Sequence, residues 1–327
     1  MEGFIVGDVI DRQEHTVVMI GAGPAALSAA IYTTREDIET LLLEKAIPGG
    51  LAAVTDQVDN YPGFPDGIAG LELGNNLQKQ AERFGAVIEP TEVLALHDEG
   101  EWKRIETVTG DYYARAVLVA TGSAYKKLGV PGEEEFYARG VHYCATCDGA
   151  FYRDKRIAVV GGGNSAVQEA MFLTRFSSHL DLIVRSKLRA SEVLQKELQK
   201  FVNEGKITVH LGVTTDEIVG EDGKVVAVKG TEVESGNEVK IETDGVFVFI
   251  GLSPNSQFLG GQLDTDEIGL IKTDANLMSN MPGVFVAGDI RSGATMQVAS
   301  AVGEGATAAL KIREYLEGHK VDVQAEV

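Results

Sequence analysis

Apolar residues along the chain fall into two patterns. Residues 16–20, 40–43, 116–119, 156–160, 180–184 and 245–250 are short, largely continuous apolar runs, the signature of strands buried on both faces of a parallel sheet. Between them lie stretches with helical spacing. Residues 71–84 place Leu73, Leu77, Ala81 and Phe84 along one stripe, and residues 167–176 turn Val167, Ala170, Met171 and Thr174 inward. Helices are also expected over 24–31, 191–203 and 298–315, the last rich in Ala and Gly at its start. Residues 87–96 and 102–108 read as a small antiparallel section in which Trp102 packs, and 207–211, 225–233 and 238–241 as further strands.

Two of the parallel runs end in the same turn. Residues 16–20 lead into Gly21-Ala22-Gly23-Pro24-Ala25-Ala26 and residues 156–160 into Gly161-Gly162-Gly163-Asn164-Ser165-Ala166, each a G-x-G-x-x-A opening a helix. The first glycine permits a sharp turn and the second lets a pyrophosphate approach the backbone. The alanine keeps helix and sheet close, and Pro24 suits a first helical turn. After the first copy, the second strand ends at Glu44, placed to accept from a ribose hydroxyl, with Lys45 beside it. The glycine-rich loop 48–63, holding Gly50, Leu51 and Asn60, is expected to lie against the nucleotide. In the second copy Val184 stands as far from Gly161 as Glu44 does from Gly21, and Arg185, Lys187 and Arg189 follow. Lacking the acid and gaining bases, this copy suits a 2′-phosphorylated ribose, hence NADPH; the alternative is a solvated basic loop.

Two apolar strands stop at glycine and a turn, Ala120-Thr121-Gly122 and residues 245–251 followed by Ser253-Pro254-Asn255. Two such crossings imply an insertion. The expected fold is α/β with two Rossmann-like, three-layer ββα dinucleotide-binding domains, one discontinuous (1–122 and 254–327) and one inserted (126–250). In the tail, Gly288-Asp289 ends a strand and offers a carboxylate to a ribitol or ribose hydroxyl.

A length of 327 residues fits two domains. Lys plus Arg number 29 against 49 Asp plus Glu, a net charge of −20 that disfavours nucleic acid and anionic membrane. No run is long and apolar enough to span a bilayer, and residues 1–14 carry no secretory signal, so a cytoplasmic protein is expected. The chain has 2 cysteines, Cys144 and Cys147, at C-x-x-C spacing with Asp148 directly behind. Such a pair in a reducing compartment is expected to be catalytic and transient. A zinc site needs four ligands, and with no second C-x-x-C and scattered histidines no metal is expected.

In this order and spacing, Gly21-x-Gly23-x-x-Ala26, Ala120-Thr121-Gly122, Cys144-Ala145-Thr146-Cys147-Asp148-Gly149, Gly161-x-Gly163-x-x-Ala166 and Gly288-Asp289 resemble the low-molecular-weight thioredoxin reductases of bacteria and archaea, over about residues 17–316. The resemblance implies FAD in the outer domain, held by Gly21, Gly23, Pro24, Ala25, Glu44, Lys45, Gly50, Leu51, Asn60, Ala120, Thr121, Gly122, Gly288, Asp289, Gln297 and Val298. It implies NADPH in the insert, against Gly163, Asn164, Ser165, Arg185 and Arg189, and a homodimer acting on thioredoxin or a thioredoxin-like protein. By the same resemblance Cys147 faces the flavin, Cys144 attacks the thioredoxin disulfide, and Asp148 supplies and removes the proton.

The chain departs from the family pattern in three places. The stretch Val184 to Arg189 is one residue shorter and one arginine poorer around the 2′-phosphate. Leu51 stands where Gln is common, and Met296-Gln297-Val298 where Arg-Gln-Ala is common. The short basic loop keeps open a flavin disulfide reductase fed by NADH or ferredoxin, or a dithiol oxidase. A flavin-binding redox sensor is the alternative of another class.

Overall fold

The computed structural model describes residues 13–55 and 58–325, with side chains through Gly318; the expectation for the opening residues 1–12 lies outside them. Contacts divide the chain into two compact units, Met1–Ser123 with Pro254–Val327, and Ala124–Ser253. Among the described residues no helix is long and apolar enough to cross a membrane.

The first unit opens with β1 (Gln13–Ile20), α1 (Pro24–Arg35) and β2 (Thr40–Glu44). There follow α2 (Gly50–Ala53), α3 (Gly70–Arg83), β3 (Val87–Pro90), β4 (Val93–Glu99), β5 (Trp102–Thr107) and β6 (Gly110–Val119). The chain leaves through β7 (Ser123–Tyr125). In the second unit come β8 (Val141–His142), α4 (Ala145–Asp148), β9 (Arg156–Val160), α5 (Asn164–Leu173), β10 (His179–Val184) and α6 (Glu192–Asn203). It continues through β11 (Ile207–Leu211), β12 (Glu217–Glu221), β13 (Lys224–Thr231), β14 (Glu238–Glu242) and β15 (Gly245–Val248). The return strand is β16 (Leu252–Pro254), followed by β17 (Val284–Val286) and α7 (Val298–Ala325).

In the first unit the sheet order is β3-β2-β1-β6-β5-β4, with β17 also paired to β6. Strands β1 and β2 run parallel with Val18 opposite Leu41, and β1 runs parallel to β6 with Val18 opposite Val117. Val17, Val18, Met19 and Leu42 are fully buried, each contributing about 1.5–3 kcal/mol at most. Small residues let α1 sit tightly between sheet and α7: a Cβ on Gly305 would lie 2.1 Å from the Ala25 carbonyl oxygen, and Ser28 Oγ donates to Val302 O at 2.8 Å. In the second unit the order is β11-β10-β9-β15-β8, all neighbours parallel, with a separate antiparallel sheet β12-β13-β14.

Several elements differ from expectation. β3 pairs parallel with β2 and is not part of the antiparallel section, because α3 returns the chain to the start of the sheet edge before β3 begins. The loop 48–63 contains the helical turn α2, entered through Gly49 at φ +105°. α5 begins at Asn164, and half-buried Thr174 is its C-cap, with Oγ1 donating to Met171 O at 2.7 Å. Leu73, Leu77 and Ala81 lie in the core as expected, and Phe84, the C-cap of α3, packs against it with its ring beneath the guanidinium groups of Arg35 and Arg83. β12 was not legible, and α7 runs past residue 315.

Candidate active site

In the first unit Gly21 adopts φ +99°, and a Cβ there would lie 2.7 Å from Ala120 O, so only glycine lets β1 and β6 end side by side. At Gly23 a Cβ would meet nothing within 4 Å. Gly23 is the N-cap of α1 and supplies no side-chain cap, and Pro24 follows in the first turn. Open space over an uncapped helix N-terminus is the geometry a pyrophosphate needs. Ala25 is buried, and its Cβ lies against Gly288, where an added Cβ would be 3.1 Å away. Glu44 is held by backbone amides, Oε2 accepting from Ala22 N at 2.7 Å and Oε1 from Ala46 N at 2.8 Å. Each oxygen keeps acceptor capacity for a hydroxyl. Lys45 instead reaches Glu92 at 3.4 Å.

Gly50 backs onto this turn, its would-be Cβ 3.3 Å from Gly23 Cα, and Gly49 N donates to Ala22 O at 2.7 Å. Leu51 is exposed. Asn60 Nδ2 donates to Gln297 Oε1 at 3.0 Å, bringing together two expected site residues, and Val298 packs against the core. Thr121 and Asn255 exchange hydrogen bonds, Oγ1 to the Asn255 carbonyl and Nδ2 to the Thr121 carbonyl, both 2.8 Å, while Asn255 N donates to Gly122 O at 3.1 Å.

Asp289 is partly buried; desolvation, and after it the charge of Glu304, raises its carboxyl above the ordinary range. Glu304 accepts from Gly288 N at 2.9 Å and is ion-paired with Arg291, so a carboxylate on α7 fixes the turn that presents Asp289. Glu304, Arg291 and Asn255 were missed as site residues, because nothing local to them points to their partners. The open turn, the amide-held acid and the elevated Asp289 together fit FAD.

In the second unit Gly161 has φ +146°, with a would-be Cβ 2.3 Å from Phe249 O, and Gly163 again has open space. Gly163 caps α5, whose first residues are Asn164 and Ser165. The basic loop is pinned to this turn: Arg189 N donates to Gly162 O at 2.7 Å and Ser191 N to Asn164 Oδ1 at 2.8 Å. Val184 is buried, whereas Arg185, Lys187 and Arg189 are exposed and make no ion pair among the described residues. Three cations around an open glycine turn fit a phosphorylated nucleotide.

The same unit holds the sulfurs. Cys144 is the N-cap of α4 and is joined to Cys147 in a disulfide with Cα atoms 5.3 Å apart. Its Sγ accepts from Cys147 N at 3.2 Å, and Asp148 N donates to Cys144 O at 3.2 Å. A sulfur at a helix N-terminus is favoured as thiolate. Ala145 anchors the turn in the core, and Gly149 is packed so closely that a Cβ would lie 2.7 Å from Leu173 Cδ2. Before the motif, Tyr143 donates to buried Glu133, which also accepts from Leu128 N and Gly129 N, each at 2.7 Å. Asp148 lies 3.4 Å from Nδ1 of His142, a residue that sequence reasoning passed over.

A profile of the pyridine nucleotide-disulphide oxidoreductases matches residues 15–305. The chain is 43% identical over 308 residues to a thioredoxin reductase of Bacillus subtilis, covering 94% of this chain and 96% of that one. It is 40% identical to a thioredoxin reductase of Listeria innocua, covering 97% and 98%. A crystal structure of a thioredoxin reductase from Streptococcus pyogenes superposes with a TM-score of 0.88 at 36% identity, covering 94% of this chain and 99% of that one. With a profile spanning most of its length and relatives matched almost end to end, the chain belongs to the pyridine nucleotide-disulphide oxidoreductase family, among its thioredoxin reductases.

Proposed function

We propose that the chain is a thioredoxin-disulfide reductase, passing electrons from NADPH through FAD to the Cys144–Cys147 pair and on to thioredoxin. The observation that carries this reading is the disulfide at the N-terminus of α4, backed by Asp148, in a chain that also holds two open glycine turns. FAD, when bound, supplies a hydride acceptor that links a two-electron nicotinamide to a dithiol.

The side chains divide the work. Gly21, Gly23, Pro24 and Ala25 would take the FAD pyrophosphate on the N-terminus of α1, with Glu44 and Lys45 at the ribose. Gly50, Leu51, Asn60, Ala120, Thr121, Gly122, Gly288, Asp289, Gln297 and Val298 would line the rest of that cofactor. Asp289, its carboxyl raised by burial and by Glu304, would face a hydroxyl of the cofactor. Gly163, Asn164 and Ser165 would hold the NADPH pyrophosphate, and Arg185 and Arg189 its 2′-phosphate. Residues 1–122 and 254–327 would thus form the FAD domain and residues 126–250 the NADPH domain. Cys144, at the helix N-terminus, attacks the thioredoxin disulfide; Cys147 closes the ring again, and Asp148 gives the departing sulfur its proton.

A homodimer in the cytoplasm completes the reading, supported by the family and by a C-x-x-C pair whose chemistry suits a reducing compartment. Anaerobic titration with NADPH and with NADH tests the donor: bleaching of the flavin band by NADPH at far lower concentration is expected, and bleaching by neither would favour ferredoxin. Thioredoxin turnover of tens per second is expected; less than one per hour would instead support a sensor.

A further inference from the structure

His142 is a buried titratable side chain to which the mechanism above gives no task. It ends β8, two residues before Cys144, and is 6% exposed. Its Nε2 lies 2.7 Å from the Tyr152 hydroxyl and its Nδ1 3.4 Å from Asp148 Oδ2. The rings of Tyr152 and Phe247 enclose the imidazole, with centroids 5.3 Å and 5.2 Å away. A buried imidazole needs a partner at each nitrogen. Here a phenol is hydrogen-bonded at Nε2, and the carboxylate assigned to proton transfer stands within ion-pair reach of Nδ1.

Tyr152 decides which nitrogen carries the hydrogen. Burial, and behind it the charges of Asp148 and Asp244, raise the phenol so that it keeps its proton, and Lys155 Nζ stands 5.4 Å from its ring centroid. The Tyr152 hydroxyl has no other hydrogen-bond partner among the described residues, so its buried hydrogen goes to Nε2. The hydrogen that His142 does not share with Tyr152 then sits on Nδ1, facing Asp148. Around His142, α4 thus contributes Asp148, the short 3₁₀ turn Gly149–Tyr152 contributes Tyr152, and β15 the apolar Phe247; Asp244 and Lys155 act through Tyr152.

We propose that His142 is a positioning residue for the dithiol chemistry, its Nδ1–H, set by Tyr152, holding the Asp148 carboxylate in place beside Cys144 and Cys147. The proposal rests on the reductase reading for its use, though not for its geometry. In thiol–disulfide exchange the attacking thiolate forms a new S–S bond as the old one breaks, and the electron pair of the broken bond stays on the leaving sulfur. The protonated Asp148 carboxyl gives that sulfur its proton, becoming the carboxylate that faces Nδ1–H; the reverse exchange returns the proton. His142 keeps its own hydrogen throughout.

The test exploits the fact that Asn presents an N–H near the place of Nδ1, whereas Gln presents one near Nε2. The holoenzyme and its H142N, H142Q and H142F forms are reduced with dithionite, and alkylation of the cysteine pair by iodoacetamide is followed against pH. H142N should track the parent. H142Q and H142F, with no donor facing Asp148, should shift the alkylation midpoint upward by about half to one pH unit. Thermal unfolding and flavin content confirm that each variant is folded. Coincidence of all curves, or equal shifts for Asn and Gln, overturns the proposal. A parent that fails to reduce thioredoxin would refute the function while leaving the alkylation curves to decide on His142.

Discussion

At the end of β2 the carboxylate of Glu44 grips the Ala22 and Ala46 amides, whereas the matching place at the end of β10 holds buried Val184, followed by exposed Arg185, Lys187 and Arg189. Up to that point the two turns are near copies. In each, the leading glycine (Gly21, Gly161) is forced by a neighbouring strand's carbonyl, and the glycine two residues on (Gly23, Gly163) faces open space. The lesson is that strand-turn-helix geometry makes a general phosphate seat, while the residues ending the next strand choose the nucleotide. The second unit adds the sulfur pair, which the first lacks.

Removing that addition has the largest effect. Cys147→Ser should lower thioredoxin reduction by on the order of a thousandfold or more, while the flavin spectrum and NADPH binding persist; activity equal to the parent would end the electron route through sulfur.

Next come the glycines. Gly21→Ala and Gly161→Ala each place a Cβ into a backbone carbonyl at positive φ, with strain of about 1–3 kcal/mol before the clash is counted. Each should lower the melting temperature of the apoprotein. Gly23→Ala and Gly163→Ala should leave it unchanged and weaken only FAD and only NADPH respectively, read by flavin content and by titration.

Arg185→Ala and Arg189→Ala sharpen the nucleotide contrast. Each should raise the KM for NADPH by about tenfold or more, the worth of a charge-assisted hydrogen bond, and leave the KM for NADH unchanged. Equal effects on both nucleotides would mean that the loop does not read the 2′-phosphate.

The smallest effects come from two aspartates with opposite shifts, Asp181 buried and Asp289 half-buried. For Asp181 on β10, burial alone would raise the carboxyl. Hydrogen bonds from His210 at 2.8 Å and Arg156 at 3.1 Å, with the charges of His210 and His179, outweigh it and lower it. A lowered carboxyl contributes stability that is full above the ordinary carboxylate range and disappears as pH falls through its folded value. Asp181→Asn should therefore cost about 1 kcal/mol at neutral pH and flatten the acid limb of the unfolding curve. Asp289 is raised, so its contribution is full below the ordinary range and disappears as pH rises through its folded value. Asp289→Asn should thus stabilise the apoprotein at neutral pH while reducing its affinity for FAD.

What could be read in advance follows from range. Residues 156–160 became β9 because a buried parallel strand announces itself in a run of consecutive apolar residues, and 207–211 became β11 through the alternation of Ile207, Val209 and Leu211. The glycine turns were legible because G-x-G-x-x-A between a strand and a helix marks them locally, and Glu44 because its partners Ala22 and Ala46 lie within one strand-helix-strand unit. Glu304 was not, because it meets Gly288 and Arg291 only after α7 folds back on the sheet. Asn255 reads as a plain turn residue; its partner Thr121 lies across the whole insertion. His142 sits in plain view before the cysteines, yet its significance depends on Tyr152 and Asp148 meeting it from two different turns.

The reciprocal clasp between Thr121 and Asn255 ties the exit and the return of the inserted segment to one spot on the host. A guest tethered at one doorway demands no rethreading of the house: to the outer unit it is merely a large loop, and lengthening a loop adds little entropy. Replacing residues 124–253 with a few flexible residues should then leave a foldable host, and a different guest could be grafted at the same doorway. Modular exchange of this kind is open to evolution and to the protein engineer alike.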